Sequence, residues 1–160
     1  MISAIGVAKV LIDENEGDVH TVYKCPADKW TIGRGRNLED KGISQEESDY
    51  LLQNDLKEAD RELSGNLSFY ADLDEARRAV LIDMYHNLGL HGLLGFKKML
   101  AAFRVKDYDE AARQIEDSRY WSQVGVRAKR NYVMVKYGRY YERDEAGHIY
   151  AGETGESIGI

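Results

Sequence analysis

A chain of 160 residues, 43% hydrophobic and 31% charged, has the length of one ordinary domain and a globular balance, which excludes disordered and collagen-like readings. Cys25 is the only cysteine, so no internal disulfide can form and a reducing compartment is the natural setting. The N-terminal apolar stretch from Ile2 to Ala8 stops at Lys9, too short for a bilayer-spanning helix and poorly formed for a signal peptide.

Ile5, Ala8, Leu11 and Ile12 recur at helical spacing and predict a first helix over about 4–13, ended by Gly17. The β-branched and aromatic run Thr21–Cys25, the turn Pro26-Ala27-Asp28-Lys29 and the run Trp30–Gly33 together predict a two-stranded hairpin. Gly33, Gly35 and Gly42 punctuate its exit. Ser44 with Glu47 three residues on forms a capping box, and Leu52, Leu56, Ala59 and Leu63 mark a long helix over 45–63 that Ser64-Gly65-Asn66 breaks. Four further helices follow by period, over about 74–87, 93–103, 107–116 and 124–137, with connections short enough for antiparallel neighbours. The Gly-rich, acidic stretch 144–160 reads as a loosely held tail. The expected fold is α+β: a small hairpin lobe (about 13–43), a connecting helix (45–63), and a larger helical lobe (about 66–143) with the first helix packed on it.

The net charge of −6 hides an asymmetry: Arg119, Arg127, Lys129, Arg130, Lys136, Arg139 and Arg143 face a single acid, Glu142, within 119–143. Such a strip fits a localised anionic partner as well as a solvated helix face. It carries no nucleic-acid motif, and a negative protein is a poor nucleic-acid binder. Gly33-Arg34-Gly35-Arg36 is not a phosphate loop, because no Gly-Lys-Ser/Thr follows. His86, His91 and Cys25 lack metal-ligand spacing, so neither metal nor cofactor is expected. The hairpin is richer in chemistry. Its arms carry Cys25 and Thr31, and the preceding helix end can present Glu16 to them. A carboxyl, a thiol and a hydroxyl in one cleft can protonate a leaving oxygen and hold water.

Asp13-Glu14-Asn15-Glu16-Gly17, then Val22-Tyr23-Lys24, then Trp30-Thr31-Ile32-Gly33-Arg34-Gly35 resembles the signature of the phage-type lysozymes, the endolysin muramidases. Eight residues separate Glu16 from Cys25, and five separate Cys25 from Thr31, as in that pattern. Two later blocks resemble the family in order: His86-Asn87-Leu88-Gly89 with Gly92 and Gly95-Phe96, and Ser118–Gln123 followed by Arg127-Ala128-Lys129-Arg130. The resemblance implies a lysozyme-like fold and hydrolysis of the β-1,4 bond between N-acetylmuramic acid and N-acetylglucosamine, with host lysis as the outcome. It assigns Glu16 as general acid, Thr31 as the residue positioning water, and Arg127 as the cation holding the Glu16 carboxyl. Gly35, Asn37, His86, Asn87 and Phe96 become substrate-binding residues. Cys25 occupies the second catalytic position, where most members carry aspartate, and Asp18 and Asp28 stand as alternative bases. Arg36 replaces the usual histidine, so any ion pair there must be rebuilt. The implied partner is bacterial peptidoglycan, for a monomer that neither binds nucleic acid nor inserts stably in membranes. It would sit in the host cytoplasm and reach the wall after another protein permeabilises the membrane. The alternative is a weakened peptidoglycan-binding relative of the same fold.

Overall fold

The computed structural model describes residues 3–152 and divides the chain into two compact units, 1–52 and 53–160. The first unit opens with α1 (Ala4–Asn15), whose N-terminus is capped by Ser3 Oγ accepting from the Gly6 N–H at 3.1 Å. A three-stranded antiparallel sheet follows, β1 (Val19–Lys24), β2 (Trp30–Gly33) and β3 (Arg36–Asn37), in that spatial order. Tyr23 pairs with Thr31 and Lys24 with Trp30, while the register slips between Val19 and Tyr23. Thr31 also faces Asn37, and Ile32 faces Arg36. The hairpin is as expected; the short third strand is an addition. Among the described residues of this unit only Thr31 is buried, at 3% exposure. Its neighbour Trp30 points to the other, open face, as strand alternation requires.

The helix α2 (Gln45–Asn66) begins at the capping box as expected: Ser44 Oγ accepts from the Glu47 N–H, and Glu47 Oε2 accepts from the Ser44 N–H at 2.7 Å. The division between the units falls inside α2. Ser64-Gly65 does not break it, and the helix runs on to Asn66. Leu63 and Leu67 are both buried at that end, and that burial outweighs the roughly 1 kcal/mol that glycine costs in a helix.

The second unit is helical: α3 (Glu75–Leu94), α4 (Lys97–Arg104), α5 (Tyr108–Glu116), α6 (Arg119–Val124) and α7 (Val126–Tyr137). Its core gathers Leu63, Leu81, Met84, Leu93, Met99, Phe103 and Ile115, all essentially inaccessible. Each such side chain contributes about 1.5–3 kcal/mol through burial. Phe69 stacks on Phe103 at 5.9 Å, and α5 packs against α4 and α7. The expected helix over 93–103 divides at Gly95-Phe96, with α4 starting only at Lys97. The helix α6 is an addition that the sequence pattern had not predicted, and the last expected helix, over 124–137, begins only at Val126, after a break at Gly125.

Arg77 is a keystone of this unit. Its Nε donates to the Val135 carbonyl at 2.8 Å and its Nη2 to that of Lys136 at 3.2 Å, both at the C-terminus of α7. Asp74 holds the guanidinium from below and the Tyr108 ring lies 3.4 Å from it.

The stretch expected as a loose tail is ordered as far as it is described. β4 (Tyr141–Arg143) and β5 (Ile149–Ala151) form an antiparallel hairpin, pairing Tyr141 with Ala151 and Arg143 with Ile149. Ile149 and Ala151 are buried with Val133 of α7. Asp144 closes the turn, its carboxylate accepting from the His148 N–H at 2.8 Å. Residues 153–160 of the expected tail lie outside the described residues. No helix among the described residues is long and apolar enough to cross a membrane.

Candidate active site

Glu16 caps the C-terminus of α1 in an extended conformation, its N–H donating to the Ile12 carbonyl at 2.8 Å. Its exposed carboxylate lies against Gly35, at the turn between β2 and β3. A Cβ on residue 35 would stand 3.2 Å from Oε2 and 3.3 Å from Cδ. Gly35 also has φ +78°, so this turn wants glycine both for its backbone and for the carboxylate it receives.

Cys25 and Thr31 come together through the main chain of Lys29. The Lys29 carbonyl accepts from the Cys25 N–H at 3.0 Å and from the Thr31 hydroxyl at 2.9 Å. The main-chain N–H groups of Lys29 and Ala27, and to a smaller degree the Thr31 hydroxyl, act on the Cys25 sulfur. These donors favour the thiolate and lower the Cys25 pKa.

The other candidates of this unit are otherwise engaged. Asn37 closes its own loop, its Nδ2 donating to Asp40 Oδ2 at 2.9 Å and its Oδ1 accepting from the Asp40 N–H at 3.0 Å. Asp28 adopts φ +57°, and its side chain is 90% exposed beside Lys24. Asp18 is shared between Arg34 and His20. Arg36 rebuilds an ion pair at its position, with Glu47 at 2.6 Å, and adds a bond from Nε to the Gly42 carbonyl at 2.9 Å.

In the second unit, His86 and Asn87 are exposed on α3, just before its non-helical residue Gly89. Phe96 stands at the start of α4, half-buried, with its ring edge-on to Tyr120 at 6.0 Å. Arg127 grips Asp83: its Nε lies 3.0 Å from both carboxylate oxygens and its Nη2 2.8 Å from Oδ1. Asn131, 4% exposed, donates from Nδ2 to Asp83 at 2.9 Å and to the Tyr120 hydroxyl at 3.1 Å. Burial pushes the Asp83 carboxyl up, but the hydrogen bonds from Arg127 and Asn131 outweigh it and leave the pKa lowered. Burial, helped by the Asp83 charge, pushes Tyr120 up to about 12.

Sequence reasoning missed Asp83, Asn131 and Tyr120. The available signal was Asp83 itself, one helical turn beyond Ala79 and Val80 on the inward side of α3, where an acid demands a cation. The basic strip is also subdivided by folding. Arg127 is paired, Arg130 lies over the Tyr141 ring at 4.9 Å, and Lys136 approaches the rings of Tyr132 and Tyr137. Arg119, Arg139 and Arg143 remain exposed.

Among the described residues, seven helices with a small three-stranded antiparallel sheet and a short C-terminal hairpin make this an α+β protein of lysozyme-like fold. The sequence profile of the phage lysozyme family matches residues 13–133, and the chain belongs to that family; at family level it is a glycoside hydrolase of the lysozyme type. It is 26% identical over 167 residues to the probable T4-type lysozyme 1 of Dictyostelium discoideum, covering 86% of this chain and 96% of that one. It is also 23% identical over 137 residues to the pre-baseplate central spike protein Gp5 of Enterobacteria phage T4, covering 84% of this chain and 24% of that one.

Proposed function

We propose that the protein is a muramidase, cleaving the β-1,4 bond between N-acetylmuramic acid and N-acetylglucosamine in peptidoglycan, and that it serves lysis of a bacterial host. The observation that carries this reading is the pairing, in one unit, of an exposed carboxyl seated on a glycine turn with a thiol–hydroxyl couple on the neighbouring hairpin. Glu16, as the carboxylic acid, donates its proton to the glycosidic oxygen as the C1–O bond breaks. A water held by Cys25 and Thr31 attacks the anomeric carbon, and its proton passes to the sulfur. The N–H groups of Lys29 and Ala27 stabilise the thiolate that accepts it. Asp28, turned outward beside Lys24, is the poorer base. Arg127 is assigned to the support of Glu16 by family resemblance alone.

The test is digestion of purified peptidoglycan, with the products read by mass spectrometry. Fragments ending in reducing N-acetylmuramic acid are expected, and Glu16→Gln is expected to lose about 10²–10⁴-fold in rate. Products cut at another bond, or lysis by Glu16→Gln near the parent rate, would refute the reading.

A further inference from the structure

Arg34 occupies the turn between β2 and β3, one residue before Gly35. Its Nε lies 2.8 Å from Asp13 Oδ1, and its Nη2 lies 3.1 Å from Asp18 Oδ2. Asp13 belongs to the last turn of α1 and Asp18 immediately precedes β1, so the two acids bracket Glu16 along the chain. One guanidinium therefore fastens both flanks of the Glu16 segment to the turn whose next residue underlies the Glu16 carboxylate. Lys9 also contacts Asp13, and His20 lies 3.3 Å from Asp18, but each reaches only its own acid. Arg34 is the group that spans both.

This bridge matters because packing within the first unit does little else to hold Glu16. No residue of α1 is buried, and Ile5, Val10 and Leu11 are largely exposed. A helix end without a packed face frays readily, and a general acid must keep its carboxyl within hydrogen-bond reach of the leaving oxygen. A single exposed ion pair would do little, but a planar fork joining two carboxylates adds geometric definition that a point charge cannot.

We propose that Arg34 is a positioning residue for the general acid: by bridging Asp13 and Asp18 it fixes the Glu16 segment against the Gly35 turn. The proposal rests on the muramidase reading of Glu16. Arg34→Ala is expected to lower kcat on dye-labelled peptidoglycan by about tenfold, with KM within about twofold. Arg34→Lys, which reaches one carboxylate but not both, is expected to lower it by about threefold. Asp18→Asn should add almost nothing in the Arg34→Ala background, since the bridge is already gone. Independently of activity, hydrogen exchange at the Glu16 amide should quicken by about tenfold in Arg34→Ala and measurably in Arg34→Lys. If Arg34→Ala fails to fold, Arg34→Lys carries both measurements. A kcat within twofold of the parent, a change confined to KM, or unaltered exchange at Glu16 overturns the proposal. Should the parent protein leave peptidoglycan intact, the muramidase reading falls, and exchange alone decides the bridge: quickened exchange upholds it, unaltered exchange overturns it.

Discussion

Replacing Gly35 by alanine sets two costs against each other, and a second glycine separates them. At φ +78° a Cβ is strained whatever surrounds it, at about 1–2 kcal/mol. At 2–4 °C per kcal/mol for a chain of this size, the melting temperature should fall by about 2–8 °C. The new methyl would also stand 3.2 Å from Glu16 Oε2 and 3.3 Å from Cδ, closer than ordinary van der Waals contact. The carboxyl must therefore retreat by a few tenths of an ångström. A full ångström of misplacement can cost about 10²-fold in rate, so Gly35→Ala should lose roughly threefold to tenfold in kcat. Gly42 supplies the control. Its φ is +62°, yet a Cβ there has nothing within 4 Å. Gly42→Ala should thus lose comparable stability while keeping its rate. Differential scanning calorimetry and initial rates on labelled peptidoglycan measure both quantities. Equal rates for the two variants would refute the claim that the Gly35 surface sets the place of the Glu16 carboxyl.

The Cys25 thiol, the only one in the chain, should react with iodoacetamide along a pH curve whose midpoint lies below the roughly 8.5 of a free thiol. Thr31→Val, which removes one of the groups that lower the pKa, should move that midpoint upward, and an unmoved midpoint would exclude the hydroxyl from the couple. Asp83 has a lowered pKa in the folded state, so its stabilisation is present above the unfolded value of about 3.9 and is lost as the pH falls through the folded one. Thermal melts should show a loss on the acid side in the parent that is shallower in Asp83→Asn. At neutral pH, Asp83→Asn should cost about 1–2 kcal/mol, between the values typical of exposed and buried pairs.

What could be read from the sequence was local. Ser44 and Glu47 announce the start of α2 because a capping box is complete within four residues. The β1–β2 hairpin is signalled by its turn residues and its β-branched arms in the same way. Gly65 misled because a local breaker signal carries no knowledge of the burial of Leu63 and Leu67 on either side. The β4–β5 hairpin was hidden in a Gly-rich, acidic stretch, since its stability comes from Ile149 and Ala151 meeting Val133 of α7, a contact no window of neighbouring residues contains. In the candidate site, Glu16, Cys25 and Thr31 are singled out by their resemblance to the phage-lysozyme signature. The Lys29 main chain that joins two of them is a property of turn geometry, to which its side chain gives no clue. Asp83 and Arg127 lie 44 positions apart, and one sequence offers no means of pairing them.

The bonds from Arg77 to Val135 and Lys136 span 58 and 59 positions of the chain. During synthesis Arg77 is made well before the carbonyls it caps. Two residues after Lys136, a Cβ at Gly138 would come 2.5 Å from Arg77 Nη1, so the seat for the guanidinium also depends on a glycine just past the end of α7. A chain that ends before residue 135 lacks both carbonyl partners of this side chain of α3. Closing this clasp between α3 and α7 therefore requires the C-terminal end of α7, whatever the order in which the rest of the unit folds.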